Sequence, residues 1–184
     1  DMLKNEFTHY TRTHWMACAG QGRAGFRPKL GGLGGPGDGN QWTNGAVGNI
    51  VWTGVLLRDV LEKVGLKAEA EFVAWYGEDK SCSDEPGNAI KDEDSVISRG
   101  IDVPKALDEF TMLAFAMNGE DIPATHGYPL RLIAPGYLGA AQGKWLRRLW
   151  VRDQEHDGKK MTGWTYRMAN QRFFPGNVTS KTHP

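Results

Sequence analysis

One stretch of the chain repeats apolar residues at the three- and four-residue spacing of a single helix face. These residues are Leu57, Val60, Leu61 and Val64. On the polar side Asp59 and Lys63 lie four residues apart, a spacing at which opposite charges stabilise a helix. Gly65 follows as a residue suited to ending a helix. The pattern predicts an amphipathic helix over residues 53–65 that serves as scaffold.

Five shorter stretches carry the apolar, aromatic and β-branched residues typical of strands and extended segments. They cover residues 8–17, 72–76, 112–117, 128–134 and 145–151. Asn118 and Gly119 form a turn sequence that folds the third stretch back on the next segment. Several strands and few helices predict one α+β domain with a mixed β-sheet core and long loops.

Two connecting segments also have recognisable patterns. Asp102, Val103 and Pro104 predict the start of a short helix, with Asp102 as the N-cap and Pro104 at the first helical position. Residues 31–40 are mostly glycine and predict a loop without regular structure, either a lid or an ordinary surface excursion.

The composition excludes several classes of protein. The 184 residues suffice for one domain with its own core, and their formal net charge is zero. A neutral chain lacks the overall positive charge that attracts nucleic acids or anionic membranes. No apolar run approaches the ~20 residues needed to cross a bilayer, and no signal peptide opens the sequence. We therefore expect no nucleic-acid partner and no membrane span.

Local composition adds two alternatives. Twenty-four glycines and seven tryptophans fit a chain that wraps a large planar ligand, and they fit irregular β-structure as well. Acidic residues gather between residues 78 and 94, and basic residues gather later in the chain. The basic residues are Lys144, Arg147, Arg148 and Arg152. They form either a solvated face or a site for an anionic ligand.

Cys18 is the first candidate for chemistry. It lies in a turn of small residues and is followed by Gly20, by Gly22 and, five residues after the cysteine, by Arg23. A nearby cation favours the thiolate, which binds soft metals or attacks electrophiles. From these residues alone two other interpretations stand: an inert small hydrophobe, or a disulfide with Cys82.

Four more segments follow the Cys18 turn in a characteristic order. They are residues 45–55, 117–120, 126–131 and 135–146. In this order and at these spacings the five segments resemble the molybdopterin domain of the sulfite oxidase family, especially the bacterial sulfite dehydrogenases. The resemblance implies the sulfite oxidase-type molybdopterin-binding fold for residues 1–168. It leaves residues 169–184 as a C-terminal arm that docks a neighbour or as a frayed terminus.

The resemblance implies a molybdenum cofactor, in which molybdopterin carries the molybdenum atom. Cys18 matches the cysteine whose thiolate binds molybdenum. His126 and Arg131 match the pair that contacts the pterin and its phosphate. Lys144 matches a further cationic contact.

Three more residues match cofactor contacts of the family. Gly136 and Gly139 match positions where the chain approaches the phosphate, and Asp79 matches an acid near the pterin ring. Apart from the resemblance, ordinary interpretations remain open. His126 fits a turn histidine, Arg131 a charge on a strand face, and Asp79 an exposed loop acid.

The resemblance also implies catalytic residues on the substrate side. Tyr166 matches an active-site tyrosine that donates a hydrogen bond to an oxo group or a bound oxyanion, with a one-residue shift in the alignment. Arg23 matches an arginine that holds sulfite or sulfate, and Trp42 matches a tryptophan that walls the channel. A place in the ordinary core fits Trp42 equally well.

The implied reaction transfers an oxygen atom to sulfite or a related small oxyanion and passes single electrons to a haem partner. No C-x-x-C-H haem attachment motif occurs in the sequence, so a c-type cytochrome or other haem subunit has to supply the haem. The family further implies a periplasmic location and a place in a larger redox complex.

The sequence keeps Cys18, His126, Arg131 and Tyr166, which together favour the enzyme, but it departs from the family pattern elsewhere, and the first two departures favour an alternative function. It does not include the upstream segment with another substrate-binding arginine or the C-terminal β-sandwich of the family. Gln21 stands where asparagine is commoner, and residues 141–143 differ from the usual pattern before Lys144. The alternative is a non-catalytic structural subunit of a larger redox complex that keeps this fold. A third possibility is reduction of an S- or N-oxide on the same scaffold.

Overall fold

The protein is described by a computed structural model that covers residues 2–26, 40–79, 98–158 and 161. Within these residues the α-helices are α1 (Met2–Glu6), α2 (Leu57–Val64) and α3 (Val103–Ala106). The first four strands are β1 (Tyr10–Ala17), β2 (Val47–Leu56), β3 (Phe72–Gly77) and β4 (Ser98–Asp102). The next four are β5 (Met112–Met117), β6 (Glu120–Asp121), β7 (Arg131–Ile133) and β8 (Leu146–Arg152).

The described strands form two antiparallel sheets with an apolar core. The larger sheet has the order β1-β2-β5-β6, with β7 also paired to β5, and the smaller has the order β4-β3-β8. The main core cluster takes buried side chains from both sheets and from α2. They include Val55, Leu61, Val73, Ile101 and Leu113. No helix within the described residues has the length and apolar character of a bilayer-spanning segment.

The predicted helix over residues 53–65 begins four residues late. Thr53 to Leu56 complete β2, because Gly54 packs so closely on β5 that a Cβ there would lie 2.1 Å from the Leu113 carbonyl oxygen. The helix buries Leu57 and Leu61, whereas Val64 is 69% exposed, so the apolar face is shorter than predicted. Gly65 ends the helix with a φ of 78°, which confirms that part of the prediction.

Other local predictions are confirmed with small shifts. The predicted strands at 8–17, 72–76 and 112–117 are β1, β3 and β5, and the turn after β5 uses positive φ at Asn118 and Gly119. Asp102 caps α3 by accepting the Lys105 backbone N–H at 3.0 Å, but Pro104 occupies the second position of that helix. The predicted strand at 128–134 shrinks to β7, and the one at 145–151 becomes β8. Residues 31–39 and 169–184 lie outside the described residues.

A buried polar cluster fixes the chain after β8. His156 is 1% exposed, and its Nε2 lies 2.9 Å from Ser98 Oγ while its Nδ1 lies 3.3 Å from an Arg152 nitrogen. Because a guanidinium only donates, Nδ1 is the acceptor and Nε2 donates to Ser98. Burial lowers the pKa of His156 to about 4; the Arg152 and Arg99 cations also lower it, and Asp157 opposes them. Arg152 is held in turn by an ion pair with Asp157.

Candidate functional site

An open cleft of about 210 Å³ lies where the end of β3, the start of β7 and the segment before β8 meet. Four residues that the family resemblance assigns to the cofactor line it: Asp79, Arg131, Gly139 and Lys144. They come from three separate parts of the sequence. The fold therefore brings together most of the predicted cofactor contacts, although their roles stay predictions.

Arg131 is the buried cation of this cleft. It is 7% exposed, and its Nη1 donates to the His126 carbonyl at 2.9 Å while its Nη2 donates to Met16 Sδ at 3.0 Å. Its Nε has no hydrogen-bond partner, and no carboxylate in the part of the chain that the structure describes forms an ion pair with it. Burial alone lowers the pKa of Arg131 to about 10. This positive charge is not neutralised by any described residue.

Lys144 brings a second cation to the same cleft. Its Nζ donates to the Thr125 carbonyl at 3.0 Å and lies 4.0 Å from the centroid of the Trp145 ring. Burial lowers the pKa of Lys144, the Arg131 cation lowers it further, and Asp79 acts in the opposite direction. Two cations that repel each other in one cleft make a site suited to an anionic ligand group.

The described contacts of His126 and the predicted glycines involve the backbone, and the predicted cofactor contact of the His126 ring stays a prediction. The His126 ring is exposed, and it is the carbonyl of this residue that touches Arg131. A Cβ on Gly139 would lie 3.2 Å from the Ala17 carbonyl, so this glycine lets the cleft loop approach β1. Gly136 has a φ of 87° with open space around it, so it serves the turn.

Cys18 is an exposed free thiol directly after β1. Its N–H donates to the Ala46 carbonyl at 2.9 Å, and its Sγ accepts the Gly20 N–H at 3.4 Å. Ala17, the preceding residue, abuts Gly139 of the cleft. Cys18 therefore directly follows a residue that contacts the cleft loop, and its role as a metal ligand or as an inert small residue stays a prediction.

Arg23 and Trp42 lie beside the Cys18 turn. A Cβ on Gly20 would lie 3.3 Å from an Arg23 nitrogen and 3.2 Å from Trp42 Cδ1, and Arg23 also donates to the Asn40 carbonyl at 3.1 Å. Trp42 is 42% exposed, so its interpretation as ordinary core is wrong. Tyr166 and Cys82 lie outside the described residues, and the predictions for them stay untested.

Sequence reasoning missed residues that shape the cleft. Met16 binds Arg131, and its only signal was a place in a strand next to Cys18. Gln142 is buried, and its side-chain amide links two points of the loop between β7 and β8. It accepts the Ala134 N–H and donates to the Tyr137 carbonyl. Trp75 closes the cleft from β3 and donates to the Ala141 carbonyl at 2.9 Å.

The basic residues 144–152 do not form one patch. Lys144 faces the cleft, Arg147 pairs with Glu78 at 3.1 Å, and Arg152 pairs with Asp157. Arg148 lies 5.1 Å from the centroid of the Trp150 ring. Of this cluster, only Lys144 lines the cleft.

Comparisons with known proteins show the family and the fold. The family-wide pattern of the oxidoreductase molybdopterin-binding domain matches residues 1–160. The NADH nitrate reductase of Spinacia oleracea is 31% identical over 184 residues, which are 98% of this chain and 18% of that protein. The mitochondrial sulfite oxidase of Drosophila melanogaster is 38% identical over 122 residues, 65% of this chain and 20% of that protein.

The crystal structure of the sulfane dehydrogenase SoxCD from Paracoccus pantotrophus matches with a TM-score of 0.68 and 30% identity. The match covers 88% of this chain and 36% of that one. It confirms the predicted fold. The chain thus spans between 18% and 36% of the length of these relatives.

Proposed function

Because the chain belongs to the oxidoreductase molybdopterin-binding domain family, we propose that it transfers an oxygen atom to sulfite or a related small sulfur oxyanion. In this proposal the electrons leave to a haem protein partner, a c-type cytochrome or another haem subunit of a larger redox complex. The compartment proposed is the periplasm.

The observation that carries the proposal is a cationic cleft next to an exposed thiol. Arg131 and Lys144 line the cleft without an ion pair to any described carboxylate, as a site for a phosphate-bearing cofactor requires. Within the described residues no group of three or more His, Cys, Asp or Glu side chains is placed to hold a metal. A single thiol, that of Cys18, fits a metal that arrives with its other ligands on an organic cofactor. The residues present therefore fit molybdopterin.

Each residue has a definite task in this proposal. When bound, the cofactor supplies the two-electron oxygen-atom chemistry. Arg131 and Lys144 hold its phosphate, and the Asp79 carboxylate accepts hydrogen bonds from N–H groups of the pterin. The Cys18 sulfur would supply the protein's ligand to the metal, and the Gly20 N–H lies 3.4 Å from Sγ.

The substrate side rests on fewer residues. The Arg23 guanidinium lies beside the Cys18 turn and holds the oxyanion, and Trp42 walls the approach. Tyr166 stays a predicted donor to the bound oxyanion. The sulfite oxidase and sulfane dehydrogenase similarities support a sulfur oxyanion, and the nitrate reductase similarity makes nitrate the competing substrate.

The first experiment measures molybdenum per chain by elemental mass spectrometry on protein from its native source. About one atom per chain supports the enzyme, and its absence from material with intact partner subunits supports the non-catalytic structural subunit. In the same preparation Cys18→Ser should abolish sulfite-dependent reduction of cytochrome c, because a hydroxyl is a harder and less acidic ligand. Cys82→Ser is the matched control and should keep the activity. Nitrate reduction without sulfite oxidation would contradict the proposed substrate.

A further inference from the structure

The tryptophan of the 45–55 segment has no task in the proposed chemistry, yet it contacts the main cation of the cleft. Trp52 lies on β2 and is 1% exposed, and the centroid of its ring is 5.3 Å from the guanidinium carbon of Arg131. A ring at this separation attracts a guanidinium through its quadrupole. The contact spans the sheet, because β5 lies between β2 and β7.

Packing alone does not explain a tryptophan at this position. The Trp52 indole N–H is buried and has no hydrogen-bond partner among the described residues. Phenylalanine would fill an apolar site without a buried, unpaired donor. Tryptophan is the aromatic residue that binds cations best, so the contact with Arg131 accounts for what the packing does not.

Arg131 needs a partner of this kind because its surroundings do not neutralise it. Its neighbours are a carbonyl oxygen and a thioether sulfur, both neutral acceptors. A carboxylate would hold the guanidinium more firmly, but it would compete with an anionic ligand for it. A neutral ring face positions the guanidinium without neutralising its positive charge, which stays able to bind the anionic ligand.

We propose that Trp52 is a positioning residue, which holds the Arg131 guanidinium at the cleft wall so that it binds the anionic group of the cofactor. The inference rests on the proposed function, since the cofactor is the ligand. The inference also predicts a rank order for the side chain at position 52: tryptophan attracts the Arg131 guanidinium more strongly than phenylalanine does, and leucine does not attract it.

The test follows cofactor loss and the Arg131 environment in Trp52→Phe and Trp52→Leu. In the holoprotein, the rate of molybdenum loss on dilution should rise a few-fold for Trp52→Phe and about tenfold for Trp52→Leu. The control Leu56→Ala lies in the same apolar cluster as Trp52 and should lose molybdenum at the wild-type rate despite a lower melting temperature. In the cofactor-free chain, the Arg131 side-chain proton resonances should be shifted upfield in wild type and in Trp52→Phe, and unshifted in Trp52→Leu.

The outcomes separate the two proposals. Loss rates equal to wild type in both variants overturn the inference while the proposed function stands. The inference is also overturned if Trp52→Leu loses molybdenum no faster than Leu56→Ala at equal stability. Any defect in the core would then be enough to explain the loss. Wild-type protein without molybdenum contradicts the proposed function and, with it, the inference.

Discussion

His156 should make the stability of this domain depend on pH between about 4 and 6.5. The folded imidazole has a pKa of about 4, against 6.5 for the ordinary group. At pH 5 the unfolded state therefore binds nearly one proton more at this residue than the folded state. Because the unfolded state binds more protons, stability rises with pH through this window. The contribution is complete above pH 6.5 and is lost as the pH falls toward 4.

The magnitude follows from the two pKa values. The shift of 6.5 − 4 corresponds to about 3 kcal/mol when complete, and about 2 kcal/mol of it is lost between pH 8 and pH 5. The other charged groups around the ring are the Arg152 and Arg99 guanidiniums and the Asp157 carboxylate, whose pKa is lowered by its hydrogen bond with Arg152.

The assay is urea denaturation of wild type and His156→Gln at pH 8 and pH 5. Glutamine does not titrate, so the variant should be less stable at pH 8 but lose about 2 kcal/mol less than wild type on acidification. His9→Gln, which removes an exposed imidazole, is the matched control for the substitution itself. Equal pH dependence in wild type and His156→Gln would refute the argument that this imidazole is buried in its neutral form.

Two further predictions concern the sheet and the cleft. Gly54→Ala should lower the free energy of unfolding, measured by urea denaturation, by about 2–3 kcal/mol, because the added Cβ would overlap the Leu113 carbonyl. The control Gly25→Ala has open space at its Cβ and should change the free energy of unfolding by less than about 1 kcal/mol. Lys144→Gln should raise or preserve the melting temperature of the cofactor-free chain, since it removes a cation that repels Arg131, yet lower molybdenum retention. A variant that retains molybdenum as wild type does would contradict a role for Lys144 in holding the phosphate.

The fold was predictable where local pattern and tertiary packing agree. β1, β3 and the β5 turn follow from strand-forming residues and from the Asn118–Gly119 pair, whose conformation is set locally. The start of α2 was not predictable, because the strand conformation of residues 53–56 depends on the approach of Gly54 to β5. That contact joins residues distant in the sequence, and no local pattern records it.

The sequence predicted which residues line the site, but not which of their atoms make the contacts. The family resemblance indicated Arg131, Lys144, Asp79 and Gly139, and the fold places all four on one cleft. It could not show that His126 would contribute its carbonyl, since that depends on how its turn is oriented toward β7. Roles taken from the family resemblance say which positions matter, whereas the contacts of a side chain appear only in three dimensions.

The hydrogen bond from Arg131 to Met16 joins residues 115 positions apart. Lys144 is added to the same cleft from still further along the chain. During synthesis a ribosome makes the Cys18 turn long before Arg131 and Lys144, so a nascent chain has the thiol before it has the two cations of the cleft. Contacts of such long sequence separation slow folding, because the long loop between the residues has to close before they can form. Under the proposed function, the cofactor can load only once the chain through Lys144 has been made, and Cys18 has to remain unmodified until then.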